Sequence, residues 1–188
     1  MKQKLKTTLA FTKNLFTTGA FMETSEKVEK EICKHLSPEE NTLVVEYGMG
    51  HGNITQNILK HISKTSRVYA FEVNPDFCDF VRKAIPDDRL TIIQDSAENV
   101  KNHVKQEVDS VISSIPFTFL SKHQSEKILA DSYELMRKGS YFSQVLYTKF
   151  NFKKFVPVFD QCEIIRLKHF PTEYIYHCLK NGKRKELA

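Results

Sequence analysis

The stretch VVEYGMGHGNIT, Val44 to Thr55, sets three of the chain's six glycines at alternate positions directly after an apolar run. Glycine takes up positive φ at no steric cost and lets a ligand approach the main chain closely. The N–H groups that open a helix after such a turn face whatever is bound there. A glycine-rich strand-to-helix turn of this kind suits a dinucleotide, a phosphate or a bare tight turn. A P-loop is excluded, because no Gly-Lys-Ser/Thr follows. The dinucleotide fingerprint runs Gly-x-Gly-x-x-Gly. Here the order is Gly48-x-Gly50-x-Gly52, with an acid, Glu46, two residues ahead.

Outward from the turn, apolar runs alternate with helix-like segments. Runs rich in Val, Ile, Tyr and Phe at 42–48, 66–73, 90–95, 109–115 and 140–147 read as strands. Helices are expected near 24–36, 53–63, 76–84, 97–106 and 122–137. Ser37-Pro38 punctuates the first, and Lys138-Gly139 is expected to close the last with a basic final turn and a glycine. After Tyr147 come a short helix near 152–159 and two strands, CEIIRLKHF and TEYIYHCL, around Phe170-Pro171. The pattern predicts an α/β fold: a mostly parallel seven-stranded sheet, an antiparallel edge hairpin and helices on both faces.

At 188 residues, with 40% hydrophobic and 27% charged, the chain is long enough for one domain with a sizeable core. Residues 1–22 are expected as an amphipathic helix or lid, 23–180 as the main domain and 181–188 as a frayed basic tail. No run approaches the ~20 apolar residues that span a bilayer. The basic start lacks the continuous apolar core and small-residue cleavage site of a secretory signal. Cys33, Cys78, Cys162 and Cys178 are scattered, which predicts reduced thiols in the cytoplasm and no structural zinc. The net charge of +5 favours an acidic partner, either nucleic acid or an anionic membrane.

Two further acids narrow the reading of the turn. Glu72 ends the second strand about twenty residues after Gly52, where an α/β nucleotide fold places the carboxylate that accepts from ribose hydroxyls. Asp95 ends the third strand, where a carboxylate can accept from an adenine amino group or cap the helix that follows. With Glu46, Glu72 and Asp95 at three successive strand ends, the set resembles the class I S-adenosylmethionine-dependent methyltransferases over residues 40–150. The resemblance implies their Rossmann-like fold with adenosylmethionine as cofactor. It assigns Glu46 and the glycine turn (Tyr47, Gly48, Met49, Gly50 and Gly52) to the methionine side and Glu72 to the ribose, with Thr55, Val73 and Asn74 also cofactor-binding. Asp95, Ser96 and Ala97 would meet the adenine, with Ser113 also on the cofactor side.

The fourth strand runs into SSIPFTFL, Ser113 to Leu120. Proline offers no N–H, so Ile115-Pro116 is expected to leave nearby carbonyls free to hold an amine. Phe117 is expected as a flat wall that stabilises charge developing on that nitrogen. Ser114, Pro116 and Phe117 are thus the candidate catalytic residues. Adenine dimethylases of ribosomal RNA carry Asn/Asp-x-Pro-Tyr/Phe at this place. A serine cannot reproduce the bidentate pattern of an amide against an adenine edge.

The motifs FTTGAFMETSEKV, SSIPFTFLSKHQSEKIL, LMRKGSYFSQVLY and HFPTEYIYHCLK look like those of small bacterial phospholipid N-methyltransferases. That resemblance implies an aminolipid substrate, with Glu23 a departure in the lid segment. Leu5, Leu9, Phe11, Leu15 and Phe16 fall within a helical arc of roughly 160°, with Lys2, Lys6 and Lys13 beyond its edge. Such a helix can lie in an anionic interface or close over a cofactor. The resulting expectation is a cytoplasmic enzyme, peripheral at the inner face of the membrane. Nucleic acid is a less favoured partner, and no metal is expected, since displacement from a sulfonium needs none. Tyr47, His51, His123 and Tyr147 are conceivable proton acceptors, and His177 is expected to be structural. Rival readings are an RNA or small-amine N-methyltransferase, and a non-catalytic binding module that keeps the fold.

Overall fold

A computed structural model describes residues 25–168 and 172–182. Among these residues, seven strands form one sheet in the order β3-β2-β1-β4-β5-β7-β6. They are β1 (Leu43–Tyr47), β2 (Arg67–Phe71), β3 (Leu90–Ile93), β4 (Val108–Ser113), β5 (Met136–Leu146), β6 (Gln161–Leu167) and β7 (Glu173–Leu179). The first five are parallel, while β7 runs antiparallel between β5 and β6. The predicted α/β architecture with its antiparallel edge pair is what forms. The strand order reverses at β1, with β2 on one side and β4 on the other, which opens a crevice at the carboxyl ends of these strands.

Alternate residues of the central strands serve two cores. Val44, Val68 and Ile112 face α1 (Glu26–Ile32) and α2 (Asn53–His61), and Ala70 packs on Cys78 and Val81 of α3 (Pro75–Ala84). Val45, Tyr47, Val111 and Phe142 face α4 (Val100–His103), α5 (Lys122–Leu135) and α6 (Phe152–Phe155). A short 3-10 turn, Ala97–Asn99, precedes α4. The helices start where their caps dictate. Asn74 accepts from the Asp76 N–H ahead of α3, whose first turn holds Pro75 and Asp76 and whose last turn holds Arg82 and Lys83. Ser121 and Gln124 form a reciprocal capping box on α5. No helix among the described residues is long and apolar enough to cross a membrane.

Three expectations need correction. The helix α5 stops at Leu135, so Lys138-Gly139 does not close it. Arg137 instead reaches Asp109 (2.9 Å) and Glu107 (3.3 Å), and the Gly139 N–H, at φ 87°, donates to the Lys180 carbonyl (2.7 Å). Strand pairing has claimed residues that local punctuation gave to the helix. The first helix ends at Ile32, well before Ser37-Pro38. The four cysteines are not all thiols: Cys162 and Cys178 are directly opposed in the β6–β7 register and form a disulfide, while Cys33 and Cys78 are free and buried. Their 16-residue separation hides an opposition that only the antiparallel register creates. The expected amphipathic segment 1–22, the Phe170-Pro171 turn and most of the basic tail lie outside the described residues.

Candidate active site

The glycine turn joins β1 to α2, and each glycine in it has a different reason to be bare. Gly48, at φ 78°, donates to the Phe71 carbonyl, and a Cβ there would stand 2.9 Å from Ile115 Cγ2 and 3.2 Å from Ser114 Oγ. Gly52, at φ 86°, caps α2 without a side chain, and its Cβ would strike Ile85 Cδ1 at 2.7 Å. These two are demanded by packing. Gly50 differs: at φ 53° its Cβ would meet nothing within 4 Å. Bare backbone facing open space is what a ligand approaching the main chain requires.

Glu46 and Glu72 sit on either side of that turn. Glu46 is buried, and its Oε2 accepts from the Thr55 hydroxyl at 2.7 Å while its Oε1 has no partner. Burial pushes its carboxyl up to about 8; Thr55 works to lower it and the Glu72 charge to raise it. Glu72 accepts from the Gly50 N–H (3.0 Å) through Oε2 and from the Asn74 N–H (2.9 Å) through Oε1. Burial raises it despite these bonds. The second acid therefore also holds the shape of the turn, a role that spacing in the sequence does not reveal.

Asp95 stands at the end of β3 with both oxygens engaged. Oδ1 accepts from the Ser96 N–H and from Asn99 Nδ2, both at 2.7 Å, and Oδ2 pairs with His103 Nε2 at 2.8 Å. Burial acts to raise this carboxyl, but His103, Asn99 and the Ser96 N–H outweigh it and hold it below its ordinary value. The cap of the following turn is Ser96, whose hydroxyl accepts from the Glu98 N–H, rather than Asp95. Ala97 is buried beside it. Asn99 and His103 were missed as partners because a four-residue and an eight-residue spacing converge only once the 3-10 turn is in place.

Not every residue assigned to the cofactor turns toward this crevice. Tyr47 is fully buried, with its hydroxyl 2.9 Å from Ser132 Oγ, so it offers the crevice main chain only. Burial also drives its phenol well above the ordinary value, which removes it as a proton acceptor. Met49 packs with Ala70, Cys78 and Val81 under α3. Val73 is half-buried, and Asn74 is spent on the α3 cap. Of the other conceivable bases, His51 lies against Phe77 and Phe80, and His123 is an exposed residue of α5.

The acceptor side departs most from expectation. The Ile115 carbonyl is not free: it accepts from Gln144 Nε2 and from the Phe117 N–H, both at 3.0 Å. The Pro116 carbonyl accepts from the Phe119 N–H, and the Phe117 carbonyl accepts from Lys154 Nζ at 2.8 Å. Phe117 is fully buried, its ring 4.9 Å from that of Phe155, so it is a core residue and not an open wall. Ser114 ties the two halves together, its N–H donating to the Tyr47 carbonyl and its hydroxyl to the Gly48 carbonyl. Polar capacity remains where sequence reasoning did not look for it. Ser113 and Gln144 are paired in the β4–β5 register, and Ser113 Oγ and Gln144 Oε1 are both buried without a partner.

Comparison with known proteins places the fold. A family model described as a methyltransferase domain matches residues 44–139, more than half of the chain. An S-adenosylmethionine-dependent O-methyltransferase from Thermotoga maritima superposes with a TM-score of 0.71 at 16% identity, over 92% of this chain and 72% of that one. An rRNA methylase from Streptococcus thermophilus gives 0.64 at 18% identity, over 86% and 100%. A methyltransferase from Streptococcus mutans, solved in complex with S-adenosylhomocysteine (SAH), gives 0.64 at 16%, over 85% and 100%. At such identities the likeness to these structures is one of fold.

Proposed function

We infer the acceptor from one premise: this chain belongs to the class I S-adenosylmethionine-dependent methyltransferases. When bound, adenosylmethionine supplies an electrophilic methyl on a sulfonium. The residues of the crevice fit it. Glu46 Oε1 is an orphaned buried acceptor, and the open flank of Gly50 leaves main chain bare beside it. Glu72 keeps lone pairs for ribose hydroxyls while its two N–H bonds fix its orientation. Ser114 locks the acceptor loop to the turn, so cofactor and acceptor are held in fixed register, where positioning supplies much of the catalysis.

We propose that the acceptor is the amino group of a phospholipid or related aminolipid, methylated at a membrane surface. One observation carries this reading. The loop after β4 and the segment after β5 are tied by Asn151 Nδ2 donating to Thr118 Oγ1 at 2.7 Å, and together they present Phe119, Tyr147, Phe150 and Val156 to solvent. Phe150 is 77% exposed. Exposed Lys122, Lys149 and Lys153 flank these side chains. Exposed apolar side chains with basic neighbours, on the two segments that follow β4 and β5, suit an anionic bilayer interface. An amine presented there must shed its proton before attack, and desolvation favours the neutral form.

The RNA alternative lacks support from the same loop, since Ser114 spends its hydroxyl on the Gly48 carbonyl. Mass spectrometry of total lipids from cells expressing the protein tests the proposal. Gains of about 14 Da per methyl on ethanolamine lipids, lost in Glu72→Ala, support it. Labelled RNA with unchanged lipids overturns it.

A further inference from the structure

A second polar cluster lies away from the crevice, under α1 at the β5-β7-β6 side of the sheet. His35 follows α1, His177 is on β7 and Glu163 on β6, where it is paired in register with His177. One ligand atom from each of the three lies within 4.8 Å of the others. The Nε2 atoms of His35 and His177 are both buried without a hydrogen-bond partner. Glu163 Oε1 stands 3.7 Å from His35 Nε2, and Glu31 Oε1 stands 3.5 Å from His177 Nε2.

We propose that His35, His177 and Glu163 bind a divalent transition-metal ion of the zinc class, with Glu31, whose Oε1 is paired with Lys34 Nζ at 3.4 Å, beside the site. Two imidazoles with a carboxylate make a donor set suited to zinc, and ligand atoms within 4.8 Å of one another close toward tetrahedral spacing by rotation of the half-exposed Glu163 side chain. The supporting shell is already built. Ligation through His177 Nε2 requires the proton to sit on Nδ1, and Ser143 Oγ, 2.8 Å from Nδ1, is placed to accept it. The His35 ring is stacked on Tyr141 at 3.9 Å with planes 9° apart, and it meets the His177 ring edge-on at 4.7 Å. Both rings are therefore oriented before any ion arrives. Burial holds the two imidazoles below their ordinary values, and the uncharged form is the one that ligates.

The geometry also supplies a way in. The His177 side chain is fully buried, whereas that of Glu163 is half-exposed, so the cluster opens toward solvent at its carboxylate end. Two hydrophobic residues in place of the histidines would have avoided burying unpaired nitrogens, each of which costs free energy without a ligand. The bound ion would clamp α1 and the segment after it onto the sheet edge. This is a structural role, independent of methyl transfer, and it departs from the expectation of no structural zinc, which was read from the scattered cysteines alone.

Full-length protein stripped with EDTA and titrated with Zn²⁺ by calorimetry tests the site, with Co²⁺ as the spectroscopic probe. The expected result is one ion per chain, visible ligand-field bands of low-symmetry Co²⁺ and a melting temperature raised by several degrees, roughly as mass action predicts. Glu163→Gln should weaken binding at least ~10-fold, and His177→Gln should abolish it, each with adenosylmethionine affinity unchanged. If His177→Gln does not fold, His35→Gln takes its place. No saturable binding by the stripped protein overturns the proposal. So does equal affinity in Glu163→Gln and the parent.

Discussion

The Ser114 hydroxyl donates to the Gly48 carbonyl across 2.6 Å, joining the loop after β4 to the turn after β1. Residues 66 apart in sequence thereby become a single unit. Ser114→Ala should leave the global fold intact, at a cost of about 1 kcal/mol. It should lower turnover more than cofactor affinity, because the acceptor loop loses its register against the turn. Steady-state kinetics beside calorimetry checks the split, and equal losses in both would place Ser114 on the cofactor side.

The glycines of the turn predict a ranked series. Alanine at Gly48 carries left-handed strain of about 1–2 kcal/mol and drives a methyl into Ile115 and the Ser114 hydroxyl. Gly50→Ala carries the strain alone, since its Cβ meets open space. Melting curves should show the larger loss at Gly48. Cofactor titration should show loss in both variants, because the Gly50 methyl occupies the ligand's path.

Phe117→Ala is expected to destabilise by about 3–5 kcal/mol, as a large core truncation against Phe155 does. Urea unfolding measures it. If stability were kept and only turnover fell, the ring would belong to the acceptor wall after all.

Glu46 makes stability depend on pH in a particular direction. Its folded pKa, raised to about 8 by burial, lies above the ordinary carboxylate value of 4.5. The folded protein thus binds a proton that the unfolded chain has released. Its contribution to stability is therefore lost as pH rises from about 4.5 to about 8 and is flat beyond. Glu46→Gln keeps an acceptor for Thr55 and removes the titration. The difference in melting temperature between pH 5 and pH 8 should be smaller in the variant, and an unchanged difference would mean that Glu46 is already ionised in the fold.

Replacing Phe119 and Phe150 together by serine should weaken flotation with anionic vesicles and leave adenosylmethionine affinity unchanged. Removing residues 1–18 tests the amphipathic segment separately. If both constructs float like the parent, the membrane reading loses its physical support.

The sheet was legible because its signals are local and periodic. Apolar runs of strand length and glycines at a strand-to-helix turn each announce themselves within a few residues, whereas the caps Asn74 and Ser121 emerge only in the structure. The three acids were legible as strand ends, and the structure puts Glu46 and Glu72 beside the turn. Long-range partners were not legible. Nothing near Ile115 in sequence foretells that Gln144, 29 residues on, takes its carbonyl. Phe117 looks the same in sequence whether it faces a cleft or Phe155. The same blindness hid the opposition of Cys162 and Cys178 and the meeting of His35 with His177, both of which depend on where β7 lies.

That placement of β7 also constrains the order of assembly. The last strand among the described residues, β7, occupies an interior position, between β5 and β6. During synthesis, β6 therefore emerges with no neighbour to pair with, and β5 shows a bare flank until residue 179 has left the ribosome. A nascent chain halted short of β7 carries two unsatisfied strand edges, a state prone to self-association and a natural client for chaperones.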